Sequence, residues 1–302
     1  MHKNLSNTNA SVKTALLLAA GMGSRLSPLT DATPKCLVEV NNIPILQRLM
    51  HSLRSHGFKK LYVVTGHLSE VIREYLGSRY SDIEINYIHS PLYKTTNNIY
   101  SLWLAGKVID EPFMLIESDL VFQPKLLKPM LQPDRMAISK MLPWMNGTTV
   151  TLNDMQELDA FRLGTVNRNE ASQFKTVNIY SFSRSTWRTV WERLDQHISA
   201  RKVGGYYESV FAELVSAGKI TFSPVFFDAD YWYEIDTLED LWEAEKMFPV
   251  HSSPQIAIGE KLHTLRQSVS TRSEKVVHTI IETSLSSVPL VAAKVKLVPN
   301  TL

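Results

Sequence analysis

The stretch "LLLAAGMGSRLSPLTDATPKCL", residues 16–37, decides the fold prediction. It begins inside an apolar run, KTALLLAA at 13–20, that stops at Gly21. Small and polar residues follow, together with two cations, Arg25 and Lys35. A short apolar run bounded by glycine is typical of a strand that is buried on both faces, as in a parallel sheet. The stretch therefore predicts a buried strand that ends in a glycine-rich loop.

The loop after this strand has the composition of a phosphate-binding loop. Gly21 and Gly23 would let the backbone approach an anion closely, with its N–H groups pointing inward. Arg25 can hold phosphate oxygens with two parallel hydrogen bonds, while Lys35 adds a compact charge and Pro34 stiffens the chain before it. A Gly-x-Gly pattern taken alone is more often a turn with two solvated cations. A longer match is therefore needed to prefer the anion site over the turn.

The same residues exclude two familiar phosphate-binding loops. The dinucleotide-binding fingerprint requires a third glycine or an alanine at the position where Leu26 stands. The Gly-Lys-Ser or Gly-Lys-Thr sequence of the P-loop is also absent from this stretch. The loop is therefore neither of these two phosphate-binding loops, and a plain turn between strand and helix stays open as an alternative.

The chain beyond the loop alternates between helix and strand patterns. Apolar spacing predicts a helix over 43–57 that ends at Gly57, and a second helix that Ser69 caps. A third helix is predicted over 97–109, and short apolar strands are predicted at 59–66, 83–90 and 112–120. This alternation predicts an α/β fold, a Rossmann-like, doubly wound and mostly parallel mixed sheet.

After residue 135 the alternation gives way to short strand-like pieces. We interpret this half as a small lid or acceptor-binding region on the same sheet, with helices near 185–199, 206–217 and 238–248. The predicted domains are a flexible leader at 1–12, a catalytic domain at 13–249 and a linker with a tail at 250–302. The tail is compatible with an appendage, an oligomerisation element or the start of a further domain.

Composition limits the class of protein. The 302 residues are 44% hydrophobic and carry a net charge of +2, so no broad field attracts nucleic acid or an anionic membrane. The single cysteine, Cys36, excludes an internal disulfide and provides no metal-ligand cluster. No apolar run approaches the roughly 20 residues of a membrane-spanning helix, and the N-terminus lacks the apolar core of a signal peptide. We predict a cytoplasmic protein without nucleic-acid or membrane partners, for which a homodimer stays open.

The longer match comes from Leu-Ala-Ala-Gly-Met-Gly-Ser-Arg at 18–25, followed by Pro34 and Lys35. It resembles the signature of the nucleotidyltransferase (nucleotide diphosphorylase) superfamily, which includes the sugar-1-phosphate nucleotidylyltransferases. The resemblance extends over roughly 13–248 and implies a nucleotide-diphospho-sugar transferase-like fold. It further implies that Arg25 and Lys35 hold a triphosphate. The loop residues that it places on the nucleotide are Leu18, Ala20, Gly21, Gly23 and Ser24.

Carboxylates at two predicted strand ends match the aspartates with which this superfamily binds a metal. Asp119 follows the run FMLIES and Asp236 follows YWYEI, where the carboxyl ends of strands bind ligands in open α/β sheets. Mg²⁺ prefers one or two carboxylates completed by phosphate oxygens and water. Either aspartate alone could be a helix cap or turn former, but together with the signature they predict a magnesium site. Glu117 and Glu234, two residues before each aspartate, share its face of an extended strand.

The run YKTTNNIYSLW at 93–103 resembles the Asn-Asn-x-Tyr-Ser segment of the CTP-using branch of the superfamily. Asn97 and Asn98 can read a base edge, because an amide both donates and accepts hydrogen bonds. Capping of the following helix by the preceding threonines is the alternative role of this run. The resemblance implies CTP as the nucleotide and adds Ser101 to its contacts.

Two further segments, 140–150 and 174–183, resemble the cytidylyltransferases that act on 2-aminoethylphosphonate, and YEID at 233–236 resembles the same CTP-using branch. The resemblance implies an acceptor with an anionic head and a cationic tail. A carboxylate among aromatic residues, as at Glu234, suits an ammonium. For Lys140 and Lys175 the alternative is an exposed strand lysine. The acceptor contacts that we predict are Lys140, Asn146, Thr148 and Glu234, with Lys175 as a catalytic cation.

Together these features predict a magnesium-dependent cytidylyltransferase. An acceptor oxygen would attack the α-phosphorus of CTP in line and pyrophosphate would leave, with Arg25, Lys35 and Lys175 stabilising the charge. An acceptor that is already ionised needs no protein nucleophile. The alternatives are a phosphocholine cytidylyltransferase, a sugar-phosphate or polyol-phosphate nucleotidylyltransferase, and, more distantly, a non-catalytic regulatory subunit.

Overall fold

The computed structural model describes residues 11–143, 145–164 and 173–249. The tail predicted at 250–302 lies outside these ranges, as does the leader at 1–12 except for its last two residues. Val12 is buried, and its N–H donates to the carbonyl oxygen of Leu131 at 2.8 Å. Val12 therefore belongs to the folded domain and not to a leader.

The described residues form six α-helices and fourteen strands. The helices are α1 Ile45–Ser55, α2 Ser69–Leu76, α3 Asn98–Ala105, α4 Arg184–Ser199, α5 Glu208–Ser216 and α6 Leu238–Met247. The strands are β1 Thr14–Ala19, β2 Glu39–Val40, β3 Ile43–Pro44, β4 Lys60–Thr65, β5 Arg79–Tyr80, β6 Ile83–His89, β7 Phe113–Glu117, β8 Leu120–Phe122, β9 Arg135–Lys140, β10 Thr149–Leu152, β11 Leu158–Arg162, β12 Gln173–Phe182, β13 Ser223–Phe226 and β14 Trp232–Glu234.

Ten of these strands form one mixed sheet with the order β11-β10-β12-β7-β1-β4-β6-β5, in which β9 pairs with β12 and β13 pairs with β9. The central strands β7, β1, β4 and β6 run parallel to one another. Strand β5 pairs antiparallel with β6, and β12 pairs antiparallel with β7. Strand β10 pairs antiparallel with both β11 and β12. The predicted α/β fold with a mostly parallel centre is confirmed, and the pieces after 135 do extend the same sheet.

Strand β1 lies at the centre because both of its faces are apolar. All six residues are buried. Ala15 and Leu17 belong to the core cluster that contains α1 and α2, whereas Leu16 and Leu18 belong to the cluster that contains α3, α4 and α5. Successive side chains of a strand point to opposite faces, so a continuous apolar run is needed where helices cover both sides. The helices therefore flank the sheet on both faces, as a doubly wound fold requires.

The predicted cap of α2 is wrong. Ser69 is the first residue of the helix, and the cap position is held by Leu68, whose φ of 49° is left-handed. Leu68 makes no side-chain capping hydrogen bond, and the Ser69 hydroxyl donates to Glu70. The chain turns sharply between β4 and α2, and this turn sets where the helix begins.

No helix within the described ranges is both long enough and apolar enough to cross a bilayer.

Candidate active site

A two-stranded ribbon brings the two predicted metal aspartates together. Strand β8 begins directly after Asp119 and pairs antiparallel with β14, which lies just before Asp236. The N–H of Ile235 donates to the carbonyl oxygen of Asp119 at 2.9 Å. Asp119 follows β7, and β7 runs parallel to β1, so both strands end at the same edge of the sheet. The aspartates therefore lie beside the glycine-rich loop that follows β1.

Lys35 bridges these aspartates. Its Nζ lies 2.7 Å from Oδ2 of Asp119 and 2.7 Å from Oδ1 of Asp236, and Nη2 of Arg25 lies 2.8 Å from the same Oδ1. Burial would lower the pKa of Lys35, but the two carboxylates outweigh it and hold the pKa above its ordinary value. Burial would likewise raise the pKa of Asp236, and Lys35 and Arg25 lower it instead. The pKa shifts of Lys35 and Asp236 therefore both favour the charged forms of these two groups.

The loop reaches this geometry through Gly23. Its φ of 64° is left-handed, and a Cβ there would lie 3.1 Å from Cγ2 of Thr30 and 3.2 Å from Cβ of Lys35. The Thr30 hydroxyl donates to the carbonyl oxygen of Gly23 at 2.8 Å. Two short 3-10 turns carry Arg25 and Lys35, anchored by the buried side chains of Leu26 and Cys36. Only glycine combines this backbone conformation with so close an approach to the lysine.

The two aspartates fit a magnesium ion. Nζ of Lys35 contacts both carboxylates, so the two carboxylates are close enough to share one cation. Oδ1 of Asp119 is buried without a hydrogen-bond partner among the described residues. Within those residues no group of three or more His, Cys, Asp or Glu side chains could hold a metal. Two carboxylates with the remaining positions left to phosphate oxygens and water is the donor set that Mg²⁺ favours.

A cavity of about 680 Å³ opens over this cluster. It is large enough for a nucleotide beside a small acceptor. The structure brings sixteen of the seventeen predicted site residues to its wall, namely Leu18, Ala20, Gly21, Gly23, Ser24, Arg25, Lys35, Asn97, Asn98, Ser101, Asp119, Asn146, Thr148, Lys175, Glu234 and Asp236. Their positions agree with one site, while their individual roles stay predictions.

Lys140 is the residue that the structure does not bring to the cavity. It is exposed at the end of β9 and pairs with Phe174 of β12. Directly paired residues point to the same face of a sheet, and Lys175, the next residue along β12, points to the other. Lys175 lines the cavity, so Lys140 faces away from it. The acceptor contact predicted for Lys140 is therefore withdrawn.

Asn97 and Asn98 both make hydrogen bonds within the protein. Oδ1 of Asn97 accepts from the Asn98 N–H at 2.8 Å and caps α3. Nδ2 of Asn98 donates to Oε1 of Glu117 at 3.2 Å, and its Oδ1 accepts from the Tyr207 N–H at 3.1 Å. Asn98 thus ties the end of β7 to the start of α5, a role that base reading alone did not predict.

Lys175, whose side chain is 3% exposed, lies at the centre of the part of the cavity wall that carries the predicted acceptor contacts. Its Nζ lies 3.1 Å from Oε2 of Glu234 and donates to the carbonyl oxygen of Thr176. Nδ2 of Asn178 donates to the other oxygen of Glu234 at 3.3 Å. Asn178 has a φ of 59° within an irregularity of β12, and this places its side chain in the cavity wall. Sequence reasoning missed Asn178, because such a bulge leaves no clear local signal.

A second missed residue is Glu208, the first residue of α5. It lines the cavity and is 5% exposed, and its Oε2 has no hydrogen-bond partner among the described residues. Burial raises the pKa of Glu208 to about 7. Burial also raises the pKa of Glu117, with Asp119 and Glu208 adding to the shift. In GGYYESV an acidic residue opens a helix, which is ordinary at a helix N-terminus, so the pattern did not mark it as functional.

Comparison with known proteins agrees with this geometry. The model of the Nucleotidyl transferase family matches residues 14–170, more than half of the chain. A CMP-5'-(3-aminopropyl)phosphonate synthase of Streptomyces rubellomurinus is 31% identical over 262 residues, 82% of this chain and 41% of that protein. A 2-aminoethylphosphonate cytidylyltransferase of Lancefieldella rimae is 34% identical over 128 residues, 40% of this chain and 51% of that protein. The chain thus spans about half the length of these two curated relatives.

The fold is shared with a solved structure. The CTP:phosphocholine cytidylyltransferase from Streptococcus pneumoniae superposes with a TM-score of 0.66 at 21% identity, over 78% of this chain and 99% of that chain. The family match, the phosphonate cytidylyltransferase relatives and the common fold confirm the resemblance to the CTP-using branch. The chain belongs to the nucleotidyl transferase family.

Proposed function

We propose that the protein is a cytidylyltransferase that transfers CMP from CTP to a small aminoalkylphosphonate, with 2-aminoethylphosphonate as the best candidate, and releases pyrophosphate. One observation carries the proposal. A single cavity is lined by Arg25 and Lys35 beside the glycine-rich loop, and elsewhere on its wall by the buried cation Lys175. Two carboxyl groups, the buried Glu208 and the half-buried Glu234, line the wall near Lys175. An acceptor with an anionic head and a cationic tail complements that arrangement. The relatives named for phosphonate cytidylyl transfer support the same class of acceptor.

The reaction needs positioning and charge neutralisation more than a protein nucleophile. A phosphonate oxygen, ionised at neutral pH, forms the new bond to the α-phosphorus of CTP. The bond from the α-phosphorus to the bridging oxygen breaks, and pyrophosphate leaves with that electron pair. Arg25 and Lys35, next to the glycine-rich loop, are placed to bind the leaving phosphates. The short 3-10 turns hold the backbones of both residues beside the loop, so that only the side chains have to turn toward the phosphates.

Lys175 is placed to reduce the repulsion between the two reacting anions. It is almost fully buried, so its charge is poorly screened by water and acts strongly on a neighbouring anion. Asn146 and Thr148 line the same wall and can orient the phosphonate. Magnesium, when bound to Asp119 and Asp236, would neutralise charge on the phosphates.

The cationic tail would be recognised by Glu208 and Glu234. Glu234 is already paired with Lys175, whereas Oε2 of Glu208 has no partner among the described residues. A nearby ammonium favours the ionised form of a carboxyl group and compensates the cost of burying its charge. The ammonium of the acceptor would therefore form an ion pair with Glu208 and offset the cost of burying its carboxylate.

The test measures pyrophosphate release with magnesium and CTP for a panel of acceptors. We expect release with 2-aminoethylphosphonate and 3-aminopropylphosphonate, and a large loss with ethylphosphonate, which lacks only the amine. UTP replaces CTP as the nucleotide control. Release with phosphocholine alone would keep the transfer and change the acceptor. Release with glucose-1-phosphate alone would contradict the cationic tail, and silence with every acceptor would contradict the proposal.

A further inference from the structure

The ammonium of Lys35 lies where the two carboxylates that fit a magnesium ion converge. It contacts Oδ2 of Asp119 and Oδ1 of Asp236 at 2.7 Å each. At these distances a metal ion cannot bind the same two oxygens while the ammonium stays between them. The lysine and a metal ion are therefore mutually exclusive partners of these two oxygens.

The charges of this cluster are already balanced. The two carboxylates face two cations, Lys35 and Arg25. The Lys35, Asp119 and Asp236 side chains are 14%, 16% and 19% exposed, and removing the partner of a charge buried to this degree is costly. A divalent cation that entered alone would have to displace a cation from its partners and leave it uncompensated. A triphosphate offers that displaced cation new oxygen partners.

The route for such an exchange is short. A Cβ at Gly23 would lie 3.2 Å from Cβ and 3.5 Å from Cγ of Lys35, so the glycine-rich loop runs along the stem of this lysine. The backbone of Lys35 is held in a 3-10 turn, where its carbonyl oxygen accepts from the Val38 N–H at 3.1 Å. The flexible four-carbon stem can therefore swing the ammonium from the carboxylates to an anion on the loop without moving the chain.

We propose that Lys35 is an internal counter-ion that competes with magnesium for Asp119 and Asp236, so that metal and nucleotide bind together and each strengthens the binding of the other. This inference rests on the proposed function, because it takes a nucleoside triphosphate and magnesium as the ligands. Binding of the triphosphate draws Lys35 away and exposes both carboxylates to the metal. Oδ1 of Asp119, which is buried without a partner among the described residues, is then available as well.

The test measures Mn²⁺ binding to the full chain from the paramagnetic resonance signal of free Mn²⁺, with and without CTP and without any acceptor. A protein-free sample at each CTP concentration gives the Mn²⁺ that CTP itself binds, and this amount is subtracted. We expect the wild type to bind Mn²⁺ weakly alone and at least about tenfold more tightly with CTP, within the usual range of coupling between sites. Lys35→Met should bind Mn²⁺ alone about tenfold more tightly than the wild type, and CTP should add little. Lys35→Arg keeps a cation at this position, so its Mn²⁺ affinity alone and the gain from CTP should match those of the wild type.

Matched controls separate the possible failures. Lys60→Met removes a lysine that pairs with Glu111 away from the cavity and should change nothing. If Lys35→Met does not fold, Arg25→Met, at a side chain that is 65% exposed, should give a smaller change in the same direction. Equal Mn²⁺ affinities for the wild type and the folded variant, with equal gains from CTP, would overturn this inference alone. If Mn²⁺ binds no form even with CTP, the magnesium role in the proposed function fails as well.

Discussion

The two ends of the cavity are built in different ways. We call the ends of the cavity that we predict to bind the triphosphate and the acceptor the triphosphate end and the acceptor end. The triphosphate end comes from one continuous stretch, 16–37, and is completed by Asp119 and Asp236 in close ion pairs. The acceptor end is assembled from four segments far apart in the chain, 146–148, 175–178, 206–209 and Glu234. The carboxylates of the first end contact cations at 2.7 to 2.8 Å, whereas at the second end the buried carboxyl group of Glu208 keeps an oxygen without a hydrogen-bond partner among the described residues. We therefore expect the paired charges of the first end to serve triphosphate binding and the unpartnered carboxyl oxygen of the second to serve the choice of acceptor.

We expect the largest effect from a substitution at the triphosphate end. We expect Asp236→Asn to lower turnover roughly 1,000-fold, because it removes a carboxylate whose charge a metal and two cations need. Initial-rate kinetics measure the loss of turnover, and a thermal melt shows whether the variant stays folded. The control is Asp82→Asn, which removes an exposed ion pair with Lys59 and should leave the rate unchanged. Full turnover in Asp236→Asn would contradict the assignment of the triphosphate end.

The next largest effect should come from the acceptor end. We expect Glu208→Gln to raise KM for 2-aminoethylphosphonate by about ten- to 100-fold, the range for losing one buried charged contact, and to leave KM for CTP unchanged. Activity with ethylphosphonate, which has no amine, should not fall. An equal loss for both phosphonates would show that Glu208 supports the fold of the cavity and does not recognise the amine.

The variant Glu208→Gln also tests how burial of the Glu208 carboxyl group affects the stability of the protein at different pH values. The pKa of Glu208 is about 7 in the folded chain and near 4.5 in an unfolded one, so the folded chain holds the extra proton between these values. The stability of the wild type should therefore fall as pH rises through this window. Glu208→Gln cannot ionise, so its Tm should exceed that of the wild type at pH 8 and not at pH 4. A constant Tm difference across both pH values would contradict this account.

A smaller effect is expected from Gly23→Ala in the loop. The left-handed φ and the contact with Lys35 should cost about 1 kcal/mol of stability, and KM for CTP should rise as the loop shifts. Gly21→Ala is the matched control for stability, because a Cβ there meets nothing within 4 Å. Chemical denaturation measures the difference. Equal destabilisation by the two substitutions would remove the reason for a glycine at position 23.

These two ends also explain what could be predicted from the sequence. The β1 run and the loop are contiguous, so their apolar pattern and their Gly-x-Gly with cations could be recognised directly. Asp119 and Asp236 could be predicted to lie in one site, because each stands two residues after the end of a strand. Asn178 and Glu208 were missed, since a bulge and the burial of a helix-terminal acid depend on segments that fold against them. The cap assigned to Ser69 failed for a similar reason, because the turn before α2 sets the start of that helix.

The smallest effect is expected for Lys140, the predicted acceptor contact that does not line the cavity. Lys140 is exposed and shares its face of the sheet with Phe174, so Lys140→Ala should leave kcat and KM for both substrates unchanged. Lys175→Ala, one position beyond the paired residue, should lower kcat strongly because it removes a buried cation from the cavity wall. A shift of one residue in strand register exchanges the two faces, so this pair of variants tests the register directly. If Lys140→Ala were the damaging variant, β9 and β12 would be out of register and the acceptor end would need rebuilding around Lys140.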